Sequence, residues 1–308
     1  MKVLYIMGAG HTGSTILDIV LGNHSHIEGV GELNKLHSSG WSGDGGRRCA
    51  CGSVLEECSF WPEVRRDWAG RIGGDDVRRY VDLQKRFERS RSAWPRLLRS
   101  RVRPSAEFAE YATKTAALYE AILKVGGRSV VVDSSLAPRR AYVLSAVPGV
   151  DLHLVHLVRD GRGVIWSLKK PGKKTLTKPF VPAPAWRTTR YWISANLQCA
   201  WVFRGVDQNR RLRIRYEDFV TRPADVLERI GTLLGEDFSR VIAALRADHP
   251  IQVAGHTVGG NRVRMQKDIR VRPDIAWMEH LPEKDRELFW RLSGWLAKRY
   301  GYTRHPHP

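Results

Sequence analysis

The sequence predicts an α/β protein with a central parallel sheet flanked by helices. Short apolar or β-branched runs alternate with helical patterns along the chain, the order expected when parallel strands carry helices on their faces. Residues 152–158, LHLVHLV, are nearly continuously apolar, as a strand covered on both sides must be. The chain also opens on an apolar run, the glycine-rich GAGHTGST, and a second apolar stretch, which reads as strand, loop and helix in succession.

In chain order, strands are expected at 3–7, 130–132, 152–158 and 212–216. The loop after the first strand resembles the phosphate-binding pattern G-x-x-x-x-G-K-[ST]: Gly8 and Gly13 have its spacing and Thr15 fills its last position, but Ser14 stands where lysine belongs. Backbone amides of Gly10, His11, Thr12, Gly13, Ser14 and Thr15 at a helix N-terminus can still hold an anion. The lysine charge that spans the β/γ-phosphates of a nucleoside triphosphate is missing. A P-loop-like nucleotide site is therefore expected, for a phosphate-bearing nucleotide other than ATP or GTP.

Residues 62–125 show arginine-rich helical periodicity and no convincing strand, and read as a helical insertion over the sheet's edge. In residues 169–186, Pro171, Pro179, Pro182 and Pro184 oppose regular helix and mark a flexible loop, either disordered or a functional lid. Residues 282–300 read as an amphipathic packing helix with Leu288, Phe289, Leu292, Trp295 and Leu296 on one stripe. His153 and His156 fall on opposite faces of their strand, so they are not expected to act together. No internal repeat interrupts the pattern, and residues 1–308 are taken as a single domain.

Composition bounds the function classes. The chain has 308 residues, 42% hydrophobic and 9% aromatic, which fits a packed protein and excludes a disordered one. No run approaches the ~20 apolar residues of a membrane span, and the broken N-terminal stretch is no signal peptide. A cytoplasmic protein is expected. The 51 Lys and Arg against 32 Asp and Glu give a net charge of +19, a field that favours anionic ligands. Much of it lies between Arg65 and Arg103, where a solvated helical face competes with an anion-steering surface. Of the four cysteines, Cys49, Cys51 and Cys58 fall within ten residues. They could chelate zinc with a nearby His, but C-x-C-x6-C is not a strong zinc spacing, so reduced thiols in a local turn are expected and no metal.

A second motif follows the third predicted strand. In LVRDGRGVIWS, Arg159 ends the strand and Ser167 lies eight residues on, in the next helix. Arg offers a planar fork to phosphate oxygens, Ser adds a hydroxyl donor, and the carboxyl ends of strands are where open α/β sheets bind ligands.

The glycine loop followed by this R-x7-S arrangement resembles the sulfotransferases that use 3′-phosphoadenosine 5′-phosphosulfate (PAPS). The resemblance implies that the loop cradles the 5′-phosphosulfate and that Arg159 and Ser167 hold the 3′-phosphate. RYEDFVTRPADVLERIGTLLG is similar to the family's Tyr-Glu-Asp segment, placing Tyr216 near the adenine, and HTVGGNRVR to its late Gly-Asn-x-x-Arg element, bringing Asn261, Arg262 and Arg264 toward the 3′-phosphate. Glu32 follows the first helix and an extended run, so it should project at the sheet's carboxyl edge near the loop. It matches in register the glutamate base of tyrosylprotein-type relatives. His11 stands where many relatives carry Lys or Arg, and an adjacent phosphate would favour its charged form as donor to the bridging oxygen. In VDSSLAPRR, Leu136 replaces a lysine of many bacterial relatives; Arg139 or Arg140 is then the candidate substitute.

Together these readings predict sulfuryl transfer from PAPS, with Glu32 and His11 as catalytic groups. The acceptor is expected to be a small molecule, with an anionic one favoured by the basic insertion; no metal, membrane or nucleic-acid partner is expected. The alternatives are a P-loop nucleotide kinase and a non-catalytic nucleotide- or nucleic-acid-binding module. Acceptor identity and oligomeric state are not encoded legibly.

Overall fold

A computed structural model describes residues 1–36, 41, 48–90, 92–169 and 182–306. Its centre is a five-stranded sheet in the order β2-β3-β1-β4-β5, with every neighbouring pair parallel. The strands are β1 (Lys2–Met7), β2 (Ile27–Gly31), β3 (Val130–Leu136), β4 (Asp151–Val158) and β5 (Arg211–Arg215). Four match the predicted runs. The fifth, β2, was legible only as an extended stretch, because IEGVG carries two glycines and a charged residue, all poor strand formers.

Alternation along β1 sends Val3, Tyr5 and Met7 into one core and Leu4 and Ile6 into another, so both faces of the sheet are covered. The second core is closed by α1 (Ser14–Leu21), α9 (Tyr216–Thr221), α10 (Pro223–Leu234) and α11 (Ser239–Arg246). Pro223 occupies the first turn of α10, where its missing N–H costs nothing.

The first core holds the segment predicted as an insertion. It forms α2 (Trp61–Ile72), α3 (Val77–Gln84), a π-turn at Lys85–Arg89, α4 (Ala93–Val102) and α5 (Ala106–Gly126). Rather than capping the sheet's edge, these helices pack on a face, because α5 is the crossover joining the parallel neighbours β2 and β3 and must lie against both. Several of its arginines are ion-paired at the surface: Arg65 with Asp75, Arg71 with Asp67 and Glu120, Arg79 with Glu110, Arg86 with Glu107.

After α6 (Pro138–Leu144), the β4-to-β5 connection contains α7 (Gly161–Lys169) and α8 (Ala185–Arg204). Of the proline-rich stretch expected as a loop at 169–186, residues 170–181 lie outside the described residues. Its ends are helical, with Lys169 closing α7 and Ala185 and Trp186 opening α8 behind Pro184.

A short antiparallel pair, β6 (Ile251–Gln252) with β7 (Asp268–Ile269), precedes α12 (Trp277–His280) and α13 (Glu283–Arg299). In α13 the buried stripe differs from the predicted one. Phe289 and Leu296 are buried alongside Ser293, Gly294 and Ala297, whereas Leu292 and Trp295 are 45% and 57% exposed. Phe289 meets Trp192 of α8 edge-on, with 5.3 Å between ring centres, which sets this stripe against α8. Among the described residues no helix is long and apolar enough to cross a membrane.

Candidate active site

Local backbone geometry explains the loop after β1. A Cβ on Gly8 would lie 2.4 Å from the Leu157 carbonyl oxygen of the adjacent strand, so only glycine lets the chain leave the sheet there. His11 takes a left-handed φ of 67° and Gly13 one of 85°. The Thr12 hydroxyl donates to the Ala9 carbonyl (3.0 Å), pinning the turn, and its buried side chain does not face the cleft. Helix α1 then starts at Ser14 with Gly13 as its cap residue, no capping side chain and no acidic residue in its first turn. Such a start presents orphan N–H groups and the positive end of the helix dipole. The Gly10 N–H donates to the Tyr191 hydroxyl (2.7 Å), reaching in from α8.

This loop forms one wall of a cleft of about 840 Å³ along the carboxyl ends of the strands. Each strand end supplies a lining group: the loop from β1, Glu32 after β2, Leu136 at the end of β3, Arg159 after β4 and Tyr216 after β5. A cleft at that edge is the expected ligand position for an open parallel sheet. Gly10, His11, Gly13, Ser14, Thr15, Glu32, Arg159, Ser167, Tyr216 and Asn261, all singled out from sequence, line it together.

Glu32 is held by its backbone. Its N–H donates to the Val258 carbonyl (2.7 Å), and Val258 N–H donates to Val30 (3.0 Å), so residues near 258 extend the sheet beside the end of β2. Gly259, with φ 67°, permits this approach, since a Cβ there would sit 2.8 Å from the Glu32 Cβ. The Glu32 carboxylate pairs with Lys35 one 3-10 turn later, and Lys35 also lines the cleft. Beneath them the buried Asp18 carboxylate accepts the Gly31 N–H (3.1 Å), and burial pushes its carboxyl up to about 7. Asp18 thereby ties α1 to the residue before Glu32.

Arg159 and Ser167 are interlocked with the loop. The Arg159 guanidinium donates to the His11 carbonyl (3.1 Å) and to Asp274 (3.1 Å), and stacks 4.3 Å from the centre of the Tyr216 ring. The Ser167 hydroxyl lies 3.3 Å from His11 Nδ1. Tyr216, predicted to lie near an adenine, packs its ring edge on Gly13, where a Cβ would come within 2.5 Å. Burial raises its phenol above the ordinary value. Asn261 donates its N–H to the Thr15 hydroxyl (3.1 Å), fastening the late segment to the start of α1.

Several expectations need correction. Arg264 is 2% exposed and donates to the carbonyls of Arg48 (2.8 Å) and Thr257, so it faces away from the cleft. Arg262 does not line the cleft either, because the 3-10 turn Arg262–Met265 carries it outward. Arg140 is fully buried, paired with Asp133 (2.9 Å) and Glu88 (3.0 Å), and is no substitute for the lysine absent at Leu136. Arg139 does line the cleft, with its guanidinium held by the Glu88 and Ser90 carbonyls. Leu136 itself has φ 65°, and its carbonyl accepts the Gly8 N–H.

Lys35, Tyr191 and Asp274 were missed from sequence. For Lys35 a signal existed, since it stands one turn after Glu32; Tyr191 and Asp274 arrive only through tertiary folding. Cys49, Cys51 and Cys58 do form a local turn, but His256 joins them, and all four donor atoms lie within 4.8 Å of one another.

A phosphate-type loop and an arginine–serine pair thus share one cleft at the strand ends, where open α/β sheets bind their ligands. Residues 4–240 match the sulfotransferase family, and the chain belongs to it. The fold is similar to the sulfotransferase domain from the Synechococcus PCC 7002 olefin synthase, at 17% identity and a TM-score of 0.52, over 99% of this chain and 96% of that one. The sulfotransferase domain from the curacin biosynthetic pathway (16% identity, TM-score 0.49, 98% of both chains) superposes less well. So does sulfotransferase STF9 from Mycobacterium avium (10%, 0.45, 97% of this chain and 77% of that one). A search of the curated proteins gave no match. The protein is an enzyme of sulfuryl transfer.

Proposed function

We propose that the sulfuryl donor is PAPS and that the acceptor is a hydroxyl or amine of a small molecule. The observation that carries this reading is the opening of the uncapped α1 N-terminus and the Arg159–Ser167 pair onto one cleft, with His11 touching both. A nucleotide bearing anionic groups at its 5′ and 3′ ends is the ligand chemistry such a pair of sites fits. The cleft volume is in the range of small-molecule sites, roughly 300–1,000 Å³.

In the proposed reaction Glu32 takes the proton of the acceptor nucleophile as its oxygen or nitrogen bonds to sulfur. The bond from sulfur to the 5′-phosphate oxygen breaks, and its electron pair leaves with adenosine 3′,5′-bisphosphate. Negative charge grows on that oxygen, where His11 and the amides of the loop are placed to donate. Lys35 holds the Glu32 carboxylate in position. Arg159 and Ser167 bind the 3′-phosphate, Asn261 fastens the segment beside the loop, and Tyr216 supports Arg159 and Gly13.

The acceptor side is bordered by Glu88, Arg139 and Gln198. Among the described residues no arginine of the 62–125 segment lines the cleft, which weakens the expectation of an anionic acceptor drawn from its charge. The free cysteines fit the cytoplasmic setting expected from the sequence. The packing of α13 on α7 and α8 supports treating the chain as one domain.

Calorimetry tests the donor. Adenosine 3′,5′-bisphosphate is expected to bind without added magnesium and far more tightly than ATP. Preference for ATP with magnesium would instead support the kinase reading, for which Ser14 in place of lysine is the contrary evidence.

A further inference from the structure

We propose that Cys49, Cys51, Cys58 and His256 form a structural zinc site that fastens the late segment of the chain over the active-site cleft. Zinc bonds thiolate sulfur at ~2.3 Å and imidazole nitrogen at ~2.0 Å, so the edges of its tetrahedron measure roughly 3.5–3.8 Å. The Cys51 and Cys58 sulfurs are 3.7 Å apart, and His256 Nδ1 lies 3.6 Å from the Cys49 sulfur and 3.1 Å from that of Cys58. These separations suit ligands around a common centre. They are far too long for a disulfide, whose sulfurs lie about 2.05 Å apart.

The surroundings are those of a metal knuckle. Arg48 pairs with Val54 across a tight turn, Cys49 N–H donates to Ser53 (2.8 Å), and Gly52 takes a left-handed φ of 96° at the bend. The His256 ring is stacked parallel on Phe60 (4.8 Å, 4°) and its carbonyl accepts the Trp61 indole N–H (2.8 Å), which fixes the orientation of Nδ1.

Three thiolates, one neutral imidazole and Zn²⁺ leave a net charge of −1, with three protons released on binding. Arg264 supplies the opposite charge: its buried guanidinium donates to the carbonyls of Arg48 and Thr257, the residues beside Cys49 and His256. That accounts for an arginine turned away from the nucleotide cleft.

The site acts on the cleft by position. Four residues separate His256 from Asn261, and two of them, Val258 and Gly259, are the residues that hold the Glu32 backbone. With zinc in place, residues 48–58 and 256–261 form one cross-linked unit beside β2.

Metal analysis of the chain purified under reducing conditions without chelator is the test, with cobalt(II) reconstitution alongside. About one zinc per chain is expected, and cobalt should give the intense sulfur-to-metal band and visible spectrum of a tetrahedral thiolate site. Cys58→Ser and His256→Ala should lose the metal, while Cys199→Ser, buried elsewhere, should keep it. A wild-type chain without stoichiometric zinc that gives no thiolate–cobalt band would overturn the proposal. So would a Cys51–Cys58 disulfide, or a Cys58→Ser chain that retains full zinc. Should the variants fail to fold, the wild-type zinc content and cobalt spectrum decide.

Discussion

Glu32→Gln is expected to lower turnover by about 10²- to 10⁴-fold, the usual contribution of a general base, while leaving the affinity for adenosine 3′,5′-bisphosphate unchanged. The reasoning rests on position. Glu32 follows the last residue of β2, its backbone is clamped by Val258, and its carboxylate lines the same cleft as the loop. Glutamine keeps the volume and the contacts with Gly259 but cannot accept the nucleophile's proton. Single-turnover sulfuryl transfer together with calorimetry on the same variant separates chemistry from binding. Unchanged turnover would remove Glu32 from the mechanism, and parallel losses of turnover and nucleotide affinity would reassign it to a structural role.

Arg159→Ala is expected to weaken binding of the 3′-phosphorylated nucleotide by roughly 10- to 150-fold, corresponding to ~1.5–3 kcal/mol for hydrogen bonds to a charged group. Arg159 also supports the loop through the His11 carbonyl and stacks on Tyr216, so its loss loosens the site generally. The discriminating quantity is therefore the ratio of affinities for the 3′-phosphorylated nucleotide and its 3′-dephospho analogue. General loosening lowers both alike and preserves the ratio. Loss of a 3′-phosphate clamp collapses it toward one, and an undiminished ratio would show that Arg159 does not contact that phosphate.

Legibility in the sequence followed the range of the forces involved. Strands β1, β3, β4 and β5 were readable because buried parallel strands demand unbroken apolar or β-branched runs, whereas β2 earns its place through pairing with β3 and was not. The glycine loop was readable because close approach to Leu157 and positive φ at Gly13 restrict the residue type. Glu32 was placed by following the chain from loop to strand end, a local inference. Arg262 and Arg264 looked equivalent to the eye, yet a single 3-10 turn sends one outward and buries the other beneath His256. On α13, periodicity identified a helix but not which of two adjacent stripes faces the core, because the contact of Phe289 with Trp192 on α8 decides it. The cysteine cluster was half legible: three thiols are close in sequence, while His256 stands 198 residues beyond Cys58 and meets them only through the fold.

The central claim is that one ligand is gripped at both ends within one cleft. A crystal structure with adenosine 3′,5′-bisphosphate tests it most directly. The account predicts the 5′-phosphate on the amides of residues 10–15 at the start of α1 and the 3′-phosphate on Arg159 and Ser167. A nucleotide bound elsewhere, or reaching only one of the two clusters, would contradict it.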